Sequence, residues 1–73
     1  MSQSEKENLG KLIRSYESGD YDQAIEVGRK FTKEFAHNGT GWNVLGLSYK
    51  ANGELDEAIK IFKFLIKALP KNA

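Results

Sequence analysis

Gly53-Glu54-Leu55-Asp56-Glu57-Ala58-Ile59 stands 34 residues after Gly19-Asp20-Tyr21-Asp22-Gln23-Ala24-Ile25. The glycine, the alanine and the isoleucine recur in identity, and an acidic residue follows each glycine. Asn38 and Asn72 keep the same offset. Glycine supplies the left-handed residue that closes a helix, and a short acidic side chain can cap the next one. Each stretch therefore reads as a tight turn between helices. A fixed period of helix, turn, helix marks a stacked array, because one hairpin cannot cover its own apolar face and buries it against an equivalent neighbour.

The flanking segments carry the matching periodicity. Leu9, Leu12, Ile13 and Tyr16 fall at i, i+3, i+4, i+7, one stripe of an α-helix. Ser4 and Glu7 have capping-box spacing at its start, and Gly19 ends it. Asp20, with Gln23 three residues on, caps a second helix whose buried positions are Tyr21, Ala24, Ile25, Val27, Phe31 and Phe35. His37-Asn38-Gly39-Thr40-Gly41 breaks the period and reads as a turn, with Thr40 the cap of a third helix. Trp42, Leu45, Gly46 and Tyr49 repeat the stripe, and Asn52-Gly53 closes it. A fourth helix runs from about Leu55 to Leu69 and stops at Pro70, the chain's single proline. No segment alternates with period two. The expected fold is all-α, about four helices in one domain over 1–73, with repeats at about 5–38 and 39–72.

Composition narrows the function. A chain of 73 residues buries only about 60% of its unfolded surface and rarely encloses a deep active site. Eleven Lys and Arg against ten Asp and Glu leave a net charge of +1, too little to argue for nucleic acid or an anionic membrane. With no cysteine and one histidine, disulfides and cysteine-based metal sites are excluded and no cofactor or metal is expected. No phosphate loop, nucleophile elbow or metal-ligand spacing is present, and His37 has no sequence neighbour to make it catalytic. No apolar run reaches a membrane span, and the first six residues have no signal core. A cytoplasmic, non-enzymatic binding module is the expectation.

The second repeat also carries the residues of a family. Trp42-x-x-Leu45-Gly46-x-x-Tyr49, then Ala58-x-x-x-Phe62, then Pro70, resembles the tetratricopeptide repeat in spacing and identity. The resemblance implies two antiparallel hairpins stacked as a short right-handed solenoid. It makes Trp42, Leu45, Gly46, Tyr49, Ala58, Phe62 and Pro70 the repeat-defining core. Gly46 and Ala58 would lie where paired helices cross closely. The first repeat departs from the pattern: its first helix is shifted by one residue, Leu9 replaces the tryptophan, Gly28 stands at the Phe62 position and Ala36 at the Pro70 position.

The resemblance further implies a concave groove lined by the first helix of each hairpin. Its candidate residues are Glu7, Gly10, Arg14 and Glu17, with Thr40, Asn43, Leu47 and Lys50. A peptide or partner helix is the implied ligand, and Arg14, Asn43 and Lys50 are the members suited to grip a carboxylate or backbone. Val44 and Leu47 occupy places where the family's chaperone-tail clamp would carry asparagine, so that specialised role is not expected.

The fourth helix suggests a second surface. Ten of its fifteen residues are apolar. With Ala58, Ile59, Phe62 and Ile66 packed inward, Ile61, Phe64, Leu65 and Ala68 face outward as a candidate self-association surface, for instance in a homodimer. Lys60, Lys63, Lys67 and Lys71 read as a solvated face near a helix C-terminus. Ala36, a good helix former where the family has proline, leaves open a continuous helix and a domain-swapped dimer. The expected function is protein–protein interaction through the groove, the last helix, or both. The alternatives are an engineered or excised repeat unit whose main property is folding and self-association, and the N-terminal repeat segment of a larger enzyme.

Overall fold

Two hairpin turns of identical construction organise the chain. The computed structural model describes residues 2–68, and Leu69, Pro70 and Asn72 lie outside them. Four α-helices occur, α1 (Gln3–Glu17), α2 (Tyr21–Glu34), α3 (Gly39–Ala51) and α4 (Leu55–Ala68), and no strand among the described residues. The fold is all-α. Gly19 and Gly53 take φ of 84° and 85°, which L side chains avoid. After α1, Gly19 N–H donates to Tyr16 O and Asp20 N–H to Ser15 O. After α3, Gly53 N–H donates to Lys50 O and Glu54 N–H to Tyr49 O. Both are Schellman closures, 34 residues apart.

The helix starts differ in two places from the sequence expectation. The cap of α1 is Ser2, whose Oγ accepts from Glu5 N–H at 3.0 Å, so Ser4 lies inside the helix. Glu7 accepts from Gln3 Nε2 instead of closing a capping box. The cap of α3 is Asn38, not Thr40: its Oδ1 accepts from Gly41 N–H at 3.0 Å. Asp20 caps α2 as expected, accepting from Gln23 N–H at 3.3 Å. The chain turns at residues 35–38 and α2 ends at Glu34, so no continuous helix passes through Ala36.

Packing follows chain order. α1 lies on α2, α2 on α3 and α3 on α4, and α1 also touches α3. The extents, 32 × 31 × 20 Å, are two helices thick in the short direction. α3 is central because its two sides feed two cores. Val44 joins Leu12, Ala24 and Phe31, while Leu45 and Tyr49 join Ala58 and Ile61. Tyr16, one residue out of step with Tyr49, is half-buried and stacks on Tyr21 at 5.7 Å.

Close helix approach depends on absent side chains. A Cβ on Gly46 would lie 2.9 Å from the Phe62 ring and 3.1 Å from Ile61 Cγ2. A Cβ on Gly28 would lie 2.9 Å from Leu45 Cδ1, and one on Gly41 would overlap the Phe31 ring. Gly28 therefore does for the α2–α3 crossing what Gly46 does for α3–α4. Trp42 is half-buried, stacks on Phe64 at 4.8 Å and donates from Nε1 to Ala36 O at 2.7 Å.

Candidate functional site

Three surfaces carry the chemistry of this chain, and the first is the expected groove. α1, which carries Glu7, Arg14 and Glu17, is in contact with α3, which carries Thr40, Asn43 and Lys50. All six are exposed, and Gly10 and Leu47 are half-buried. Arg14 folds back along α1, its Nη1 3.3 Å from where a Cβ on Gly10 would be. The face is polar and of mixed sign. Its one large apolar element is Leu47.

At one end, α1 and α3 are pinned by a buried polar pair. Glu5 is 7% exposed, and its Oε2 accepts from Asn38 Nδ2 at 2.8 Å. Asn38 thus caps α3 with one end of its amide and binds α1 with the other. A buried carboxylate is costly without such a partner. His37 Nε2 sits 4.0 Å from the same oxygen with its side chain 82% exposed. This cluster is structural in geometry: Glu5 faces a cap, not a cleft. No group of three or more His, Cys, Asp or Glu that could hold a metal occurs among the described residues.

The second surface escaped the sequence reading. A cleft of about 740 Å³ opens between α2 and α4, with α3 as its floor. Trp42, Leu45 and Tyr49 line the bottom. Arg29 and Lys33 stand on the α2 wall, Glu54 and Glu57 on the α4 wall. Burial pushes the Tyr49 phenol above its ordinary value; Arg29 opposes this, and Glu57 and Glu54 add to it. The opposed charges favour neither an anion nor a cation, and the cleft carries no nucleophile poised on a base.

The third surface is on α4 and differs from the expected one. Ile61 is 8% exposed, packed with Leu45 and Tyr49, and Leu65 is half-buried against the same cluster. Phe64 is partly covered by Trp42, and Ala68 is exposed. The assignment of Ile61 and Leu65 to an outward face is therefore corrected. Phe64, 42% exposed, and Ala68 face outward as expected; Leu55, Ile59 and Ile66 are outward too, 54%, 50% and 74% exposed, with half-buried Phe62 between them. Ala58 and Phe62 keep their inward setting, and the helix is turned by about 65°, bringing Ile61 and Leu65 in and Ile59 and Ile66 out. Gly46 is the cause. Its missing side chain admits Ile61 and the edge of the Phe62 ring, and Ala58 lets α4 lie close to α3.

No helix among the described residues is long and apolar enough to cross a membrane. No protein-family model, curated protein or solved structure matches this chain.

Proposed function

We propose that this chain is a two-repeat, tetratricopeptide-like module that works by binding protein, and that its principal docking face is the outer stripe of α4. The observation that carries this reading is an internal correspondence. On α2, Ile25, Gly28 and Thr32 form the side laid against α3: Gly28 faces Leu45, Ile25 packs with the Leu45–Tyr49 cluster, and Thr32 is 4% exposed. Moved by the 34-residue period, these positions become Ile59, Phe62 and Ile66. The same side of α4 is apolar, with Ile59 and Ile66 uncovered and Phe62 half-buried between them. A helix-receiving surface thus occurs twice, once filled and once open. Exposed Leu55, Ile59 and Ile66 on one helix are costly to leave in water, since each fully buried side chain of this kind contributes about 1.5–3 kcal/mol.

The reading is tested with an apolar fluorescent dye at low protein concentration. Wild-type chain binds the dye, and Ile59→Glu with Ile66→Glu abolishes binding while helix content is unchanged. Equal dye signals from the two proteins would end the proposal.

A second reading places a peptide across α1 and α3. Contact between those helices and the exposure of Arg14, Asn43 and Lys50 on adjacent surfaces favour it. Leu47→Glu, with the fold intact, then removes peptide binding. Titration of extended peptides that leaves α1 and α3 amide signals unmoved would dismiss this groove.

A further inference from the structure

We infer that the partner of the α4 stripe is a second copy of this chain, docked α4 to α4 in antiparallel orientation; this rests on the docking role proposed for that stripe. Leu55, Ile59, Phe62 and Ile66 are spaced 4, 3 and 4 residues apart. That is the a/d spacing by which two helices interlock side chains along a seam. A stripe with this spacing is complementary to itself. A two-fold axis sets Ile59 against the partner's Phe62 and Leu55 against the partner's Ile66, and the reciprocal pairs follow by symmetry.

Charge chooses the direction. Glu54, Asp56 and Glu57 lie at the start of α4, and Lys60, Lys63 and Lys67 along its later turns. Antiparallel pairing brings the acidic end of each helix to the basic end of the other and opposes the helix dipoles favourably. Parallel pairing sets like against like. Asp56 and Lys63 are both exposed and occupy equivalent positions bordering the seam. In the antiparallel dimer each Asp56 faces the partner's Lys63, twice per dimer.

The head-to-tail alternative is poorer. It would seat the stripe on α1 of another copy, as α2 seats on α3. Gly41, Val44 and Ser48 of α3 are buried in that contact. Their counterparts on α1, 34 residues earlier, are Glu7, Gly10 and Arg14. Glu7 Oε2 already accepts from Gln3 Nε2, and the Arg14 guanidinium lies beside Gly10. Covering this strip with isoleucine and leucine desolvates the Glu7 and Arg14 charges. The two ends of the chain are therefore unequal, one polar and one apolar, and only the apolar end matches itself.

Sedimentation equilibrium of the wild-type chain and two charge variants tests the inference. The wild type is expected to be a dimer at tens of micromolar. Asp56→Lys and Lys63→Asp each turn two rim attractions into repulsions, and each dimerises about tenfold more weakly. Mixed in equal amounts, these variants form a heterodimer, since each Lys then meets an Asp. The double variant, Asp56→Lys with Lys63→Asp, regains the wild-type affinity. Circular dichroism confirms that all variants are helical. Charge variants that dimerise as well as wild type, or that fail to pair when mixed, overturn the antiparallel arrangement. A monomeric wild type that still binds the apolar dye overturns the dimer while leaving the docking role intact. A monomeric wild type that binds no dye removes both.

Discussion

Replacing Gly28 with alanine sets two effects of known sign against each other. Alanine in a helix interior is favoured over glycine by about 1 kcal/mol. The added Cβ, however, would stand 2.9 Å from Leu45 Cδ1, 3.2 Å from Leu45 Cβ and 3.3 Å from Leu12 Cδ1. Leu12 is 0% exposed and has no open space to enter, whereas Leu45, 3% exposed, borders the cleft between α2 and α4. Leu45 Cδ1 can swing by a rotamer change, but Leu45 Cβ moves only with the α3 backbone. Overpacking of this kind costs about 1–3 kcal/mol. The net expectation for Gly28→Ala is a loss of about 1 kcal/mol, or about 4–8 °C in Tm for a domain of this size. Gly10→Ala is the control: its Cβ meets only the mobile Arg14 guanidinium, at 3.3 Å, and the full helix gain of about 1 kcal/mol appears as a rise in Tm. On a Leu45→Val background, which removes Cδ1, the cost of Gly28→Ala shrinks by about 1 kcal/mol, as expected for residues in direct contact. Thermal unfolding followed by circular dichroism measures the wild type and the four variants, Leu45→Val alone among them. If Gly28→Ala raises Tm as much as Gly10→Ala does, the close α2–α3 crossing is wrong, and the equivalence of the two hairpins falls with it.

Asn38→Ala removes the α3 cap and strips Glu5 of its 2.8 Å donor, for a loss of about 2–3 kcal/mol in urea unfolding. Glu5→Gln on that background recovers part of the loss, because a neutral amide is cheaper to bury than a lone carboxylate. Tyr49 makes stability depend on alkaline pH: its phenol is raised above 10.0 by burial, so the folded state keeps the proton after the unfolded state has lost it. The stabilisation is complete below pH 10.0 and is lost as pH rises through the folded value, so Tyr49→Phe shows a shallower fall of Tm with pH in that range. Ile66→Glu, at a residue 74% exposed, shifts the Tm of dilute protein by little, within about 0.5 kcal/mol, while abolishing association at high concentration. A large loss of stability in the dilute monomer would show that Ile66 is part of the fold.

The elements legible in the sequence are those fixed by a local chemical requirement. Gly19 and Gly53 announce left-handed residues, and both turns close as expected. Asp20 caps α2 because nothing else near it competes. Ser2 and Ser4 both have a cap's chemistry, and composition alone does not choose between them. Asn38 was hidden for a different reason. Its value lies in a bond to Glu5, 33 residues away, which no local pattern encodes. Val44 and Ser48 are buried because α3 is covered on two sides, a consequence of its central place in the packing.

The rotation of α4 was the main misreading, and its cause is physical. A helix apolar on most of its circumference gives periodicity little power to name the inner side. The setting is decided by the neighbour, where Gly46 opens a recess that Ile61 and Phe62 fill. The cleft between α2 and α4 was missed similarly, since Arg29, Lys33, Glu54 and Glu57 look like ordinary solvated helix residues until α3 holds their helices apart. The polar groove residues on α1 and α3 are exposed while Gly10 and Leu47 are half-buried, and such exposure is shared by any polar helix face.

Amide chemical shifts followed as the chain is concentrated from the low micromolar to the millimolar range test the central claim most directly. The account predicts coordinated changes at Leu55, Ile59, Phe62, Lys63 and Ile66, with the signals of Glu7, Gly10 and Arg14 on α1 unmoved. Changes centred on α1, or a spectrum indifferent to concentration together with indifference to apolar dye, would contradict it.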